Sequence, residues 1–506
     1  KSALQEALQW RSNASADSRR AAINSSRLRK SRSNIKKGTV RRSAGIAGFK
    51  MIKKSALLAL CMCALLGFSG CDGVFGAPGD LISPPKLEGS LSGLDEALQT
   101  AIGEKYEFAY PESGDYLSSC ITKDLDGDGK DEALIFYIPK NDGVVHMNLF
   151  VRKEGGWHSV SDINTLSFSV ERVLFENLCG DGKLEIVVST RLYTSSASAA
   201  KQVLVYSYED GALANRFQEE CGDFAVCSML DDEYRQIVIF KIDTAQNYAL
   251  DSGTSKAPAA ASNTARLCSL NITAGQSTTV YSIGEAQLDP GVSSIAAVTA
   301  GKVGEMNALY IDTALGNGSM ATSLLIYDSK QKRLLNPLFD TASGNNSVTL
   351  RTSAVLSRDI DSDGVVEIPV SHRMADGNAS AEDMPVSWMA YENGKLTVKT
   401  EGYYNSVYKY YFSAPEKWLS MISVDTEDDG LTRVYTVYPT DKANAGAKLC
   451  TVTVRQKQQS DSSSKQAAGA TYSSKKYDFY VKLSDTMPKD YAQGIQTVTD
   501  SFTVLE

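Results

Sequence analysis

The sequence predicts a mainly β protein: a β-propeller built from repeated antiparallel units, followed by a small C-terminal α+β domain. Three observations lead there. Short β-branched runs and an aromatic set dominated by tyrosine, 24 against 15 Phe and 4 Trp, suit antiparallel strands. A unit of apolar strand, acidic or turn-rich loop, apolar strand and turn-closed strand recurs five times, about 52–70 residues apart. Insertions rich in Ser, Ala, Gly and Asn, such as 192–201, 252–264 and 341–347, stretch that spacing and read as surface loops. Sheets so spaced bury their faces only against their neighbours, which a radial array achieves. A stack without closure, as in a solenoid, is the other arrangement.

The chain opens with residues 1–50, in which thirteen Lys or Arg face only Glu6 and Asp17. With no apolar periodicity, this segment cannot bury a core and reads as disordered. Its arginines fit a nucleic-acid-binding arm or translated upstream sequence. Lys at position 1 and the export signal behind the segment favour the second, with Met51 as the start. Residues 51–70 have the layout of a signal peptide: Lys53-Lys54, an apolar run from Ser55 to Phe68, then small residues. The run is shorter than the roughly 20 residues a bilayer span takes; an uncleaved anchor or a buried helix is the alternative. Ending in Phe68-Ser69-Gly70-Cys71, it resembles the lipobox of bacterial lipoproteins, with Phe68 where that family prefers Leu. The resemblance implies that Cys71 is diacylated and becomes the mature N-terminus. The protein would then be anchored in a cell membrane by lipid, facing the extracytoplasmic side of a bacterium.

The formal charge is −8 for the whole chain. Without residues 1–50 and the two signal lysines, the polypeptide beyond Cys71 is close to −21. So acidic a polypeptide does not bind nucleic acid through general electrostatics. Beyond the signal, six cysteines remain: Cys120, Cys179, Cys221, Cys227, Cys268 and Cys450. An even number permits disulfides without fixing any pairing; Cys221 and Cys227 are the nearest in sequence.

Residues 71–90, rich in Gly and Pro, read as a lipid-proximal linker. Apolar residues at 91, 94, 98 and 102 predict a short helix. The propeller is assigned to 91–402. Its loop-and-strand segments are 124–138, 177–190, 229–242, 300–313 and 359–371. The closing strands align as 147–157, 202–213, 323–334 and 386–396, each apolar and aromatic before a charged or Gly turn. Residues 403–506 form the α+β domain, with strands 432–439, 448–456 and 477–483 and a helix starting at Pro488. A degraded further blade is the alternative for this segment.

Two loops carry chemistry. Asp124-x-Asp126-x-Asp128-Gly129 places three carboxylates at alternate positions around a turn, and Asp359-x-Asp361-x-Asp363-Gly364 repeats it. Such oxygen-rich loops suit calcium, a hard cation. They are not EF-hands, because position 12 is Ile135 in one and Val370 in the other. An acid recurs instead at position 9, as Glu132, Glu185 and Glu367. The pattern D-x-D-x-D-G-x-x-E leading into a strand resembles the FG-GAP or VCBS repeats of integrin-like β-propellers, over roughly residues 116–400. The resemblance implies a structural calcium ion on Asp124, Asp126, Asp128, Glu132 and the carbonyl of Lys130. A second would sit on Asp359, Asp361, Asp363, Glu367 and the carbonyl of Val365. The loop with Asn177, Cys179, Asp181 and Glu185 is a degenerate version, since a thiol is a poor ligand for a hard ion.

Catalytic signatures are scarce. The three histidines show no metal spacing, and no G-x-S-x-G or G-x-x-x-x-G-K-[ST] motif occurs. The reading is therefore a lipid-anchored, non-catalytic envelope module that binds an unidentified glycan, peptide or protein. An envelope hydrolase acting on a glycan or phosphoester through acidic groups is the alternative.

Overall fold

The computed structural model describes residues 92–192, 200–230, 233–242, 263–271, 279–374, 382–457, 469, 471–492 and 496–505. The basic segment, the signal peptide, Cys71 and the linker lie outside the described residues. The chain divides into two units, Lys1–Pro85 and Lys86–Glu506, and every described residue belongs to the second.

That second unit is mainly β. It is built of six antiparallel sheets arranged in chain order. Sheet 1 contains Tyr106–Phe108, Cys120–Lys123, Glu132–Pro139, His146–Lys153 and Gly156–Asn164. Sheet 2 is a meander of Ser167–Glu176, Glu185–Leu192, Lys201–Glu209 and Ala212–Cys221. Sheet 3 repeats it with Asp223–Cys227, Gln236–Lys241, Thr264–Asn271 and Thr279–Gln287. Sheet 4 uses Val292–Val303, Met306–Leu315, Met320–Asp328 and Arg333–Leu335. Sheet 5 holds Ile368–Ser371, Asp383–Glu392, Lys395–Asn405, Tyr410–Ser413 and, from the end of the chain, Thr503–Val504. Sheet 6 is made of Ile422–Thr426, Thr432–Val437, Lys448–Gln456, Tyr477–Leu483 and Tyr472–Ser473.

Alternation along the inner strands decides the packing, because successive side chains leave a strand on opposite faces. In sheet 1, Leu134 and Phe136 pack with Val173 and Val188 of sheet 2. Their neighbours Ala133, Ile135 and Tyr137 pack on the other face against Leu94 and Leu98 of the helix Leu94–Ile102. Sheet 2 continues the pattern: Val187 and Val203 meet Ile237 and Ile239 of sheet 3. Val238 and Phe240 then meet Leu309 and Ile311 of sheet 4, and Ala308 and Tyr310 meet Ile368 of sheet 5. Tyr403 and Phe412 of sheet 5 join Tyr435 and Val437 of sheet 6. Strands buried on both faces carry continuous apolar runs, which is why 133–138 and 186–188 look alike in sequence.

Three expectations change. Among the described residues no apolar core joins sheet 6 to sheet 1, so the sheets form a stack and no closed propeller is seen. The helix Leu94–Ile102 covers the face of sheet 1 on which a closing sheet would sit. The boundary expected between 402 and 403 falls inside the strand Lys395–Asn405. Residues 403–506 share one core with sheet 5 through Tyr403, Tyr410, Phe412, Trp418 and Phe502, and they supply the sixth sheet. The helix expected from Pro488 is described as two short ones, Lys489–Ala492 and Gln496–Asp500.

Candidate metal centres in two acidic loops

Each loop singled out in the sequence precedes the inner strand of its sheet. Residues 124–131 link Cys120–Lys123 to Glu132–Pro139, and 177–184 link Ser167–Glu176 to Glu185–Leu192. In sheet 5 the loop 359–366 is closed at its base by the bridge between Arg358 and Glu367. Sheet 4 has only a tight turn, with Gly304 at φ 59°.

The residue at position 9 ties each longer loop to its strand. One Glu132 carboxylate oxygen, Oε2, accepts the amide of Leu125 at 2.9 Å. Glu185 Oε2 accepts those of Leu178 and Cys179, at 2.7 and 3.1 Å. Glu367 Oε2 accepts that of Ile360 at 3.0 Å. Gln236 does the same work in sheet 3, its Oε1 accepting from Met229 and Leu230. This capping role was missed in the sequence, although the recurrence of Glu, Glu, Gln and Glu at one position was its signal.

What the remaining polar atom of that side chain does separates the loops. Gln236 Nε2 donates to the Tyr234 carbonyl at 2.8 Å, and Glu185 Oε1 accepts from Ser207 Oγ at 3.1 Å. Both side chains are therefore spent on the protein. Glu367 is fully buried, and its Oε1 has no hydrogen-bond partner. Burial first, then the charges of Asp361, Asp363 and Asp359, push its carboxyl up to about 7 against the opposing Ile360 amide. Glu132 is raised in the same way, by burial and then by Asp126, Asp128 and Asp124.

The aspartates are held by their own backbone. Asp124 accepts the amides of Gly127 and Gly129, at 2.8 and 2.9 Å; Asp359 accepts those of Asp363 and Gly364, at 3.1 and 2.8 Å. Gly129 and Gly364 stand at φ 84° and 88°, in the left-handed region that glycine enters without strain. One carboxylate oxygen from each of Asp124, Asp126 and Glu132 lies within 4.8 Å of the others, and Asp359, Asp361 and Glu367 match them. These two groups can hold a metal ion. Three hard oxygens converge in each, and further ligands would come from carbonyls and water.

Asp128 and Asp363 stand outside those groups. Asp128 Oδ2 pairs with Lys130 Nζ at 2.9 Å and Asp363 Oδ2 with Lys399 Nζ at 2.7 Å. In both, the hydrogen bond from the lysine holds the carboxyl below its ordinary range. The amides of Lys130 and Val365, whose carbonyls are the implied seventh-position ligands, donate to Asp128 and Asp363 at 2.8 and 2.9 Å. In the degenerate loop Asn177 accepts from the Gly180 amide and Asp181 from that of Lys183, and Glu185 belongs to no group of three acids among the described residues.

The six cysteines among the described residues are free thiols, Cys221 and Cys227 included. Burial pushes both of these up to about 12. No helix among the described residues is long and apolar enough to cross a membrane.

A cleft of about 840 Å³ opens where residues of sheets 4, 5 and 6 meet, bordered by the 405–409 and 474–477 turns.

No protein-family model matches the chain, and no curated protein does. Among solved structures it is similar to the rhamnogalacturonan lyase YesW, at 15% identity and a TM-score of 0.30, over 58% of this chain and 51% of that one. A Bacillus licheniformis rhamnogalacturonan lyase matches at 16% identity with the same TM-score and coverage. The chain thus spans about half the length of the structures it matches. Both are named as lyases, and on that finding the non-catalytic binding module expected from the sequence is withdrawn. A likeness at this TM-score assigns this chain no reaction.

Proposed function

We propose that this chain is an exported bacterial lipoprotein of the FG-GAP/VCBS type, anchored through Cys71, whose loops 124–132 and 359–367 each bind one calcium ion. The observation that carries the proposal is that Glu367, grouped with Asp359 and Asp361, keeps one buried oxygen, Oε1, without a partner. A buried carboxylate oxygen without a donor is costly. A cation in the loop offsets that cost and the repulsion among the neighbouring acids, so binding stabilises the folded turn. In this reading the repeats form the stacked sheets, and calcium stiffens the loops that enter their inner strands. Adding calcium to chelator-treated protein should raise its melting temperature, and Asp126→Ala combined with Asp361→Ala should abolish the rise. An unchanged melting curve for the unmutated chain would refute the metal sites.

For activity, the alternative of an envelope hydrolase on a glycan or phosphoester is carried forward in narrowed form, as an envelope enzyme acting on a glycan. The cleft at sheets 4, 5 and 6 supports it, since its volume lies within the roughly 300–1,000 Å³ of ligand sites. Release of new sugar ends from envelope polysaccharide is the assay, and no release from any of them removes this reading.

A further inference from the structure

The cleft carries a charge opposite to that of the chain around it. Four of its lining side chains are cationic, Arg358, Lys409, Lys475 and Lys476, and none is acidic. The sequence beyond Cys71 is close to −21, so the cleft stands out in sign from the chain as a whole. Arg358, Lys409 and Lys476 form no salt bridge with the described residues. All three line the cleft.

Aromatic and apolar groups lie between those cations. Tyr408 and Tyr477 meet edge to face, with ring centroids 5.3 Å apart, and the Arg433 guanidinium stands 5.3 Å over the Tyr408 ring. The Lys409 ammonium lies over the Tyr404 ring at 5.9 Å. Leu356 and Val407 remain 41% and 50% exposed at the same cleft, which leaves apolar surface for a ligand to cover.

Both rims are held in place before any ligand arrives. The buried Asn405 side chain accepts the amides of Val407 and Tyr408 at 3.1 and 2.7 Å. Its carbonyl accepts that of Lys409, whose own carbonyl accepts the Leu505 amide at 2.6 Å. On the opposite rim Ser474 Oγ accepts the amides of Lys476 and Tyr477 at 3.3 and 3.0 Å. Ordering such loops in advance lowers the entropy lost on binding.

We infer that this cleft binds an acidic oligosaccharide, its sugar faces packed on Tyr408, Tyr477 and the exposed Leu356 and Val407, its carboxylates paired with Arg358, Lys409 and Lys476. Pyranose rings present apolar C–H faces beside polar edges, which matches aromatic and aliphatic surface interleaved with fixed cations. A neutral glycan would leave the cations unpaired, and a compact inorganic anion would leave the apolar surface uncovered. The inference deepens the glycan reading above, and binding and turnover are measured separately to keep the two apart.

The test is calorimetric titration of the full chain with tetragalacturonate, against the neutral cellotetraose and a single-stranded oligonucleotide. Tetragalacturonate should bind, more weakly as salt rises, and cellotetraose should not. Lys409→Asn with Lys476→Gln should weaken binding about tenfold or more while leaving the melting temperature unchanged. Asn suits position 409 because its φ is 57°. Equal binding of the neutral sugar, preference for the oligonucleotide, or undiminished affinity in the double variant would each overturn the inference. Tetragalacturonate binding with no release from any envelope polysaccharide leaves the inference standing and removes the enzyme reading; turnover of a neutral glycan with no tetragalacturonate binding does the reverse.

Discussion

Replacing Glu367 separates its two jobs, capping the loop and holding a cation. In Glu367→Gln the side-chain oxygen can still accept the Ile360 amide, as Gln236 does for Met229 in sheet 3. The negative charge is gone. In Glu367→Ala the amide loses its partner in a buried setting, which costs about 1–3 kcal/mol. In chelator, therefore, Glu367→Gln should be as stable as the unmutated chain or slightly more so, because a buried carboxylate lacking one partner has been removed. Glu367→Ala should fall below both by that 1–3 kcal/mol. Calcium changes the order. A site filled at one hundred times its dissociation constant adds about 2.7 kcal/mol, so the unmutated chain gains from two loops and either variant from one. Urea unfolding in chelator and in millimolar calcium reads all three differences. A full calcium gain in Glu367→Gln would show that the cation is not held there. Equal stability of the Gln and Ala variants in chelator would show that the cap is worth nothing.

Arg351 and Asp312 form a fully buried ion pair at 2.7 Å, with Thr322 and Ser357 also donating to the carboxylate. Arg351→Ala leaves that carboxylate buried without its counter-charge and should cost about 3–5 kcal/mol in urea unfolding; a loss under about 1 kcal/mol would contradict this role. Glu171 supplies a pH dependence. Burial alone would raise its carboxyl, but Lys201 at 2.8 Å, with Ser189 and Arg191, outweighs burial and holds it below its ordinary value of 4.5. The folded state thus binds this proton less tightly than the unfolded one. Its stabilisation is present above the unfolded pKa and is lost as pH falls through the folded value. Lys201→Met should lower stability at neutral pH by about 1 kcal/mol and flatten the loss on acidification. An acid-unfolding curve identical to that of the unmutated chain would refute it.

Much of the fold could be read because buried strands and acidic turns leave local marks. The runs 133–138, 186–188 and 237–240 are apolar without interruption, and each comes after a loop found from its own residues. Closure left no such mark. Alternating apolar positions say that each sheet has two faces to bury, not what covers the last one. On sheet 1 that cover is a nine-residue helix contributing Leu94 and Leu98. The domain boundary was hidden for a related reason, since Thr503–Val504 returns to pair with Tyr410 and Tyr411 from some ninety residues away. At the acidic loops the limit was pairing. Lys399 reaches Asp363 from another strand, which no spacing within 359–367 could signal. Position 9 yields the stricter rule. Its oxygen caps the loop in all four longer loops, so an acceptor there is needed for the turn whether or not a cation binds. Glu185 shows an acid entirely consumed by that structural work, and Gln236 shows that the work needs no charge at all. An Asp-rich turn leading into Glu therefore leaves a side-chain oxygen for a cation only where the second carboxylate oxygen has no donor of its own. Among these loops Glu367 meets that condition outright.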